Sequence, residues 1–222
     1  MPSTDPVHGT PALHDKTYLR SLLSARNQMP ERTATLDAAI EHAFVRHVAI
    51  LVLDMCGFSR ITQSHGIIHF LAMIHQMEQA ARPAIEGNGG EVIKQEADNL
   101  FAVFTSPEQA LEAALDTLRS LDAMNAVLPP ERSLHVSAGI GYGPTLVIAH
   151  EDLFGAEVNG ACKLGEDIAE TNEILLTRAA HACLPPDRYE CVATEHHISG
   201  LHLHAHRFGR CLFERPLCNT SP

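Results

Sequence analysis

Apolar positions recur at three- and four-residue intervals near the start of the chain: Leu19, Leu22 and Leu23, then, after Pro30, Leu36, Ala39, Ile40 and Phe44. That spacing puts them on one stripe of an amphipathic helix, so residues 16–45 are predicted to form a helical arm. Residues 1–15 mix Pro, Gly, Thr and His without a period and predict a tail without fixed structure. At 48–53 the pattern becomes an uninterrupted apolar run closed by Asp54, which suits a strand buried on both faces. Ser59 is a candidate N-cap, and Ile67, Ile68, Leu71, Ile74 and Met77 carry a helical stripe on to Ile85, where Gly87-Asn88-Gly89-Gly90 must end it. Two β-rich runs within 91–104 flank the polar break at 95–99 and predict a hairpin.

Ser106 and Pro107 open a further helix that turns Ala110, Leu111, Ala114, Leu115, Leu118 and Leu121 inward. Residues 134–140 alternate as a strand. Gly139, Gly141 and Gly143 permit close backbone approach, and 145–149 is predicted to pair back. Helical patterning returns over 158–169, followed by a strand at 173–176, a short helix at 178–184 and two strands near 189–192 and 198–213. The order βαββαββαβαββ, with no internal repeat, predicts an α+β fold: a mixed, mostly antiparallel sheet with helices packed on it, built on a ferredoxin-like βαββαβ core with a C-terminal extension. The main domain is expected over 46–215, with 216–222 a second tail.

Composition narrows the partners. At 45% hydrophobic and 19% charged residues, the 222-residue chain lies well away from the disordered class. A net charge of −11 argues against a protein that works by neutralising nucleic-acid phosphates, so a polyanionic ligand would need a metal to help. The longest purely aliphatic run, 49–53, falls far short of the ~20 residues of a membrane span, and 1–11 holds no apolar signal-peptide core. A cytoplasmic protein is expected. The six cysteines form no CxxC pair and read as free thiols in a reducing compartment.

Asp54 at a strand end and Asp98 at a hairpin tip are the carboxylates that topology brings closest, because consecutive elements of such a sheet usually neighbour one another. Two carboxylates at close range repel, and a divalent cation with a preference for hard oxygen, Mg²⁺ or Mn²⁺, relieves that repulsion. Two strand-terminal aspartates used only as turn formers are the simpler alternative.

The joint pattern goes further. Asp54-Met-Cys-Gly-Phe-Ser59, then Gly89-Gly90-Glu-Val-Ile-Lys94 with Asp98, then Asp152-Leu-Phe-Gly-Ala-Glu-Val-Asn159 with Ala161 and Leu164 resemble, in order and spacing, the class III nucleotide cyclases over about residues 46–215. The resemblance implies that Asp54, Met55 and Asp98 hold two Mg²⁺ or Mn²⁺ ions, which polarise the ribose 3′-hydroxyl for attack on the α-phosphate and neutralise the departing pyrophosphate. It implies that the backbone of Gly57, Phe58 and Ser59 receives phosphate oxygens where a helix begins. Lys94 and Asp152 match the family's purine pair, an ammonium donating to ring N1 and a carboxylate accepting from the 6-amino group, which is the polarity of adenine. Without the resemblance, the two would be a hairpin lysine and a loop acid exposed to solvent.

Asn159 matches the asparagine that orients the ribose, and one helical turn on, where the family usually has an arginine on the phosphoryl group, this chain has Lys163. The charge is kept and the bidentate fork is lost. A Lys-Gly pair that many members carry in the last hairpin reads Ser199-Gly200 here. His202, His204 and His206 alternate nearby, so a strand would put all three on one face, either as a polar surface or as ligands of Zn²⁺, Ni²⁺ or Cu²⁺. The resemblance implies a homodimer whose sites draw residues from both subunits, with the helical arm either crossing the two-fold axis or packing on its own domain. The expected function is an adenylate cyclase making cyclic AMP and pyrophosphate from ATP. The alternatives are a weak or inactive cyclase-like nucleotide-binding or dimerisation domain, and a guanylate cyclase.

Overall fold

The computed structural model describes residues 15–57, 66–129, 132–198 and 201–212. The tails, Phe58, Ser59 and Ser199-Gly200 lie outside the described residues. The chain begins with α1 (Lys16–Gln28), a 3₁₀ turn (Pro30–Arg32) and α2 (Thr33–Phe44), followed by β1 (Val45–Met55), α3 (Ile67–Gly87), β2 (Glu91–Glu96), β3 (Asn99–Phe104) and α4 (Pro107–Asn125). Then come β4 (Val136–Ile148), β5 (Asp152–Phe154), α5 (Ala156–Cys162), a π-helical turn (Lys163–Ile168), β6 (Ile174–Thr177), α6 (Arg178–Ala182), β7 (Tyr189–Ile198) and β8 (Leu201–Cys211).

The strands form one sheet in the order β2-β3-β1-β4-β6-β8-β7, with β5 paired to β4. Its first four strands, threaded by α3 and α4, are the expected ferredoxin-like core. Every pairing is antiparallel except β4 with β6. β1 is central and buried on both faces, which is why its sequence does not alternate. Leu51, Leu53 and Met55 pack with Met73 and Met77 of α3 and Leu111 of α4. On the opposite face Val48, Ile50 and Val52 pack with Phe101, Val103 and, from α5, Val158 and Ala161.

One hairpin differs from expectation. Residues 145–149 do not return as a separate strand: β4 runs unbroken from Val136 to Ile148, and the returning strand is β5, with Leu146 opposite Phe154 and Ile148 opposite Asp152. The glycines of β4 allow the close backbone approach expected of them. A Cβ on Gly139 would lie 2.0 Å from the Ala161 carbonyl oxygen and 2.7 Å from Gly165 N, and one on Gly141 would lie 2.5 Å from the Glu157 carbonyl oxygen. Their bare backbone is what lets α5 and the π turn lie directly on the sheet. Three hydrogen bonds fix the helix and the π turn there. Glu157 Oε2 accepts from Tyr142 N–H at 3.1 Å and Thr177 Oγ1 at 2.7 Å, and Ser137 Oγ donates to the Gly165 carbonyl at 2.9 Å.

Capping follows the sequence closely. Ser106 and Gln109 form a reciprocal capping box at the start of α4, with Pro107 in its first turn. Asp15 caps α1, accepting from Tyr18 N–H at 2.7 Å. The arm folds back on its own domain: Leu19, Ile40 and Phe44 pack against Ile148, and an Arg26–Asp37 ion pair ties α1 to α2. Among the described residues, no helix is long and apolar enough to cross a membrane.

Candidate active site

The site occupies the α5 face of the sheet. Asp54, the penultimate residue of β1, has the parity of Val52 and lies in register between Asn99 of β3 and Ser137 of β4. Asp98 is in the β2–β3 turn, where Ala97 takes a left-handed φ of 51°, and its carbonyl accepts from Met55 N–H at 3.2 Å. Asp54 lines an open cavity of about 520 Å³ with Ser137, Glu166 and Glu170. Burial first, then the charges of Asp98, Glu166 and Asp167, push the Asp54 carboxyl up to about 7. Burial likewise raises Glu166, against a hydrogen bond with Cys162 that lowers it, with Asp167 and Asp98 adding to the rise. Hard oxygens that repel one another in an open cavity are the donor set that Mg²⁺ or Mn²⁺ prefers, so these residues fit such ions. The Met55 side chain is buried in the core, which leaves its backbone carbonyl as the only hard ligand it could offer. Gly57, exposed with φ 91°, lies in the turn that follows β1.

A second group sits across the same face. Lys94 Nζ lies 3.0 Å from Asp152 Oδ1 and 2.7 Å from Glu96 Oε2, and 4.7 Å above the Phe101 ring. A register shift between Val92 and Lys94 sets this aim. Burial would lower the Lys94 ammonium, but its bonds to Glu96 and Asp152 hold it above the ordinary lysine value. Two of its three N–H donors are thereby used, leaving one. Asp152 Oδ1 also accepts from Leu153 N–H at 3.0 Å, while Oδ2 lies 3.9 Å from Lys16 of the arm. Lys94 pairs with Phe101, which pairs with Val52, two residues before Asp54, so the two groups are separated by roughly 12 Å on strand geometry.

Asn159 and Lys163 belong to the third piece, one turn apart on α5 and at the start of the π turn. Asn159 is exposed and Lys163 half-buried. Cys162 between them feels Glu166 and Lys94, and burial with Glu166 pushes its thiol up to about 12, so it stays protonated. The structure thus joins Asp54 with Asp98 and Lys94 with Asp152. No hydrogen bond or ion pair among the described residues joins the Asn159 or Lys163 side chain to either pair.

Sequence reading missed Glu96, Glu166, Asp167 and Lys16. Glu166 and Asp167 follow Lys163 at three and four residues, a spacing that signals a shared helix face. The π turn, in which Ala169 N–H reaches the Leu164 carbonyl at 2.8 Å, was not legible in that pattern.

The description of adenylate and guanylate cyclase catalytic domains matches residues 40–205. The chain belongs to this class III cyclase family. "Putative adenylate cyclase 3" of Rhizobium meliloti strain 1021 is 26% identical over 136 residues, covering 61% of this chain and 23% of that protein. The chain therefore spans about a quarter of that relative's length. Among solved structures, the adenylate/guanylate cyclase/hydrolase of Silicibacter pomeroyi superposes with a TM-score of 0.62 at 22% identity, covering 74% of this chain and 96% of that one. The non-canonical dimeric guanylyl cyclase domain of the RhoGC fusion protein from the fungus Blastocladiella emersonii gives 0.62 at 13% identity, covering 76% and 98%. At these identities the superpositions establish the cyclase fold.

Proposed function

We propose that this cyclase domain is an adenylate cyclase, converting ATP to 3′,5′-cyclic AMP and pyrophosphate in a homodimer. The observation that carries the choice of base is the Lys94–Asp152 pair at 3.0 Å, an N–H donor beside a carboxylate acceptor. Adenine presents an acceptor at N1 and a donor at its 6-amino group; guanine reverses both. Glu96 keeps the Lys94 ammonium charged and oriented, and Phe101 supports it from below.

Asp54, Asp98 and the Met55 carbonyl would hold two Mg²⁺ or Mn²⁺ ions, which supply Lewis-acid activation of the 3′-hydroxyl and charge neutralisation on the triphosphate. The chain's own residues do the rest. The Gly57–Ser59 backbone receives phosphate oxygens, Asn159 orients the ribose, and Lys163 donates to the phosphoryl oxygens as charge builds on them. A homodimer would bring Asn159 and Lys163 of one subunit to the carboxylates of the other, a reading supported by the absence, among the described residues, of a hydrogen bond or ion pair from their side chains to either pair.

Lys163, where the family usually has arginine, favours a second reading: a domain that binds nucleotide with little or no turnover. One experiment separates the two. Purified protein is incubated with Mn²⁺ and ATP or GTP at serial protein dilutions while cyclic nucleotide is measured. Cyclic AMP in excess of cyclic GMP, with specific activity falling on dilution, is the expected result. No cyclic nucleotide from the wild type or Lys163→Arg at any concentration, with ATP still raising Tm, would establish the second reading instead.

A further inference from the structure

We propose that Glu195, His202 and His204 form a binding site for one divalent ion of the Zn²⁺ class on the β7–β8 hairpin. In the antiparallel register Glu195 stands opposite His204 and His197 opposite His202, so all four share one face of the hairpin. His202 Nε2 is 3.4 Å from Glu195 Oε2, and His204 Nδ1 is 3.4 Å from Glu195 Oε1. One ligand atom from each of the three lies within 4.8 Å of the others. Metal–ligand bonds of about 2.0–2.2 Å in a tetrahedron place neighbouring ligand atoms roughly 3.3–3.6 Å apart, so an ion enters with small side-chain adjustment. The His197 ring, stacked on His202 at 4.2 Å between centroids, holds that imidazole in place.

The alternating triad His202, His204 and His206 is therefore not the ligand set. His206 stacks on His181 of α6 at 3.7 Å and 4°. Glu195, from the neighbouring strand, takes its place. Two imidazoles and one carboxylate suit Zn²⁺, Ni²⁺ or Cu²⁺ over Mg²⁺, which prefers all-oxygen surroundings. The three side chains are exposed, so water completes the coordination and the ion can enter directly. The site is remote from the acidic cluster. Asp54 aligns with Ser137, one residue before the Ala138–Ile174 end of the β4–β6 pairing, whereas His204 lies beyond the Thr177–Ala205 pair at the other end. An ion here would clip the two strands of the terminal hairpin together, and the inference does not depend on the cyclase reading.

The test uses untagged, EDTA-stripped full-length protein titrated with Co²⁺, followed by ligand-field absorption, and with Zn²⁺, followed by calorimetry. The expected result is one tightly held ion per chain, weakened at least about tenfold in His202→Ala, His204→Ala and Glu195→Gln and unchanged in His206→Ala. In the wild type, Zn²⁺ but not Mg²⁺ should protect His202 and His204 from diethylpyrocarbonate, mapped by mass spectrometry, a readout that needs no variant to fold. Absence of a Co²⁺ band, unprotected His202 and His204 under Zn²⁺, or equal binding in the His202→Ala/His204→Ala double variant would overturn the site.

Discussion

Asp54 and Lys94 project from the same face of one sheet, two strands apart, into opposite electrostatic settings. Lys94 is held between Glu96 and Asp152, its charge neutralised by partners the chain supplies. Among the described residues, the charges that act on Asp54 are those of further acid, Asp98, Glu166 and Asp167, and its carboxyl rises to about 7. The difference separates a group paired within the fold from one that, among the described residues, has no counter-charge; in the proposed function the first would read a neutral base by hydrogen-bond polarity and the second would take a cation. The sharpest way to break this contrast is to remove the acid. Asp54→Ala or Asp98→Ala should lower Mn²⁺-dependent cyclic AMP formation by about 10³-fold or more, on the order of 4 kcal/mol in the barrier. Retained turnover in either variant would show that the acidic cluster holds no catalytic metal.

Next in size is the support on which α5 and the π turn carry Asn159 and Lys163. Adding a methyl group at Gly139 meets backbone atoms of Ala161 and Gly165, which cannot rotate away. Gly139→Ala should therefore cost about 1–3 kcal/mol of stability, read in chemical denaturation. Activity should fall as well, because the helix must shift. Smaller again, Lys94→Ala should reduce the preference for ATP over GTP by about tenfold, measured as a ratio of kcat/KM values, while leaving metal dependence intact. An unchanged ratio would detach Lys94 from base recognition.

These two regions were unequally legible in the sequence. β1, α3, α4 and the capping box at Ser106 follow from local periodicity and capping chemistry, which act within a few residues and so are written in the chain. The pairing of Lys94 with Asp152 depends on a register shift in β2 and on β5 returning along β4, both tertiary facts. The close backbone approach expected of Gly139, Gly141 and Gly143 is what α5 uses, but residues 145–149 were misassigned because β4 runs on through Gly143 and Pro144 to Ile148, a continuity that local pattern does not show. Glu195 was overlooked for a similar reason. Alternation along β8 shows which histidines share a face, but not which residue of the neighbouring strand stands opposite.

The smallest effect probes the acidic region without any substrate. Because the folded chain raises the Asp54 carboxyl from 3.8 to about 7, it favours the neutral form relative to the unfolded chain. Below pH ~4 both states are protonated and the group leaves stability unaffected; between pH ~4 and ~7 the unfolded state ionises first, and stability falls as pH rises. Above ~7 both are ionised and this contribution is flat. Glu166, also raised, acts in the same direction, while solvent around half-buried Asp54 and exposed Glu166 weakens both effects. In EDTA, wild-type Tm should drop from pH 5 to pH 8 by more than that of Asp54→Asn, and Mn²⁺ at pH 8 should restore the difference. Lys94→Ala, which reaches this cluster through Glu96, whose charge raises Glu166, should change the slope less than Asp54→Asn does. Parallel pH profiles for wild type and Asp54→Asn would mean that the crowding of carboxylates at the end of β1 carries no energetic weight, and the contrast between the two regions would lose its physical basis.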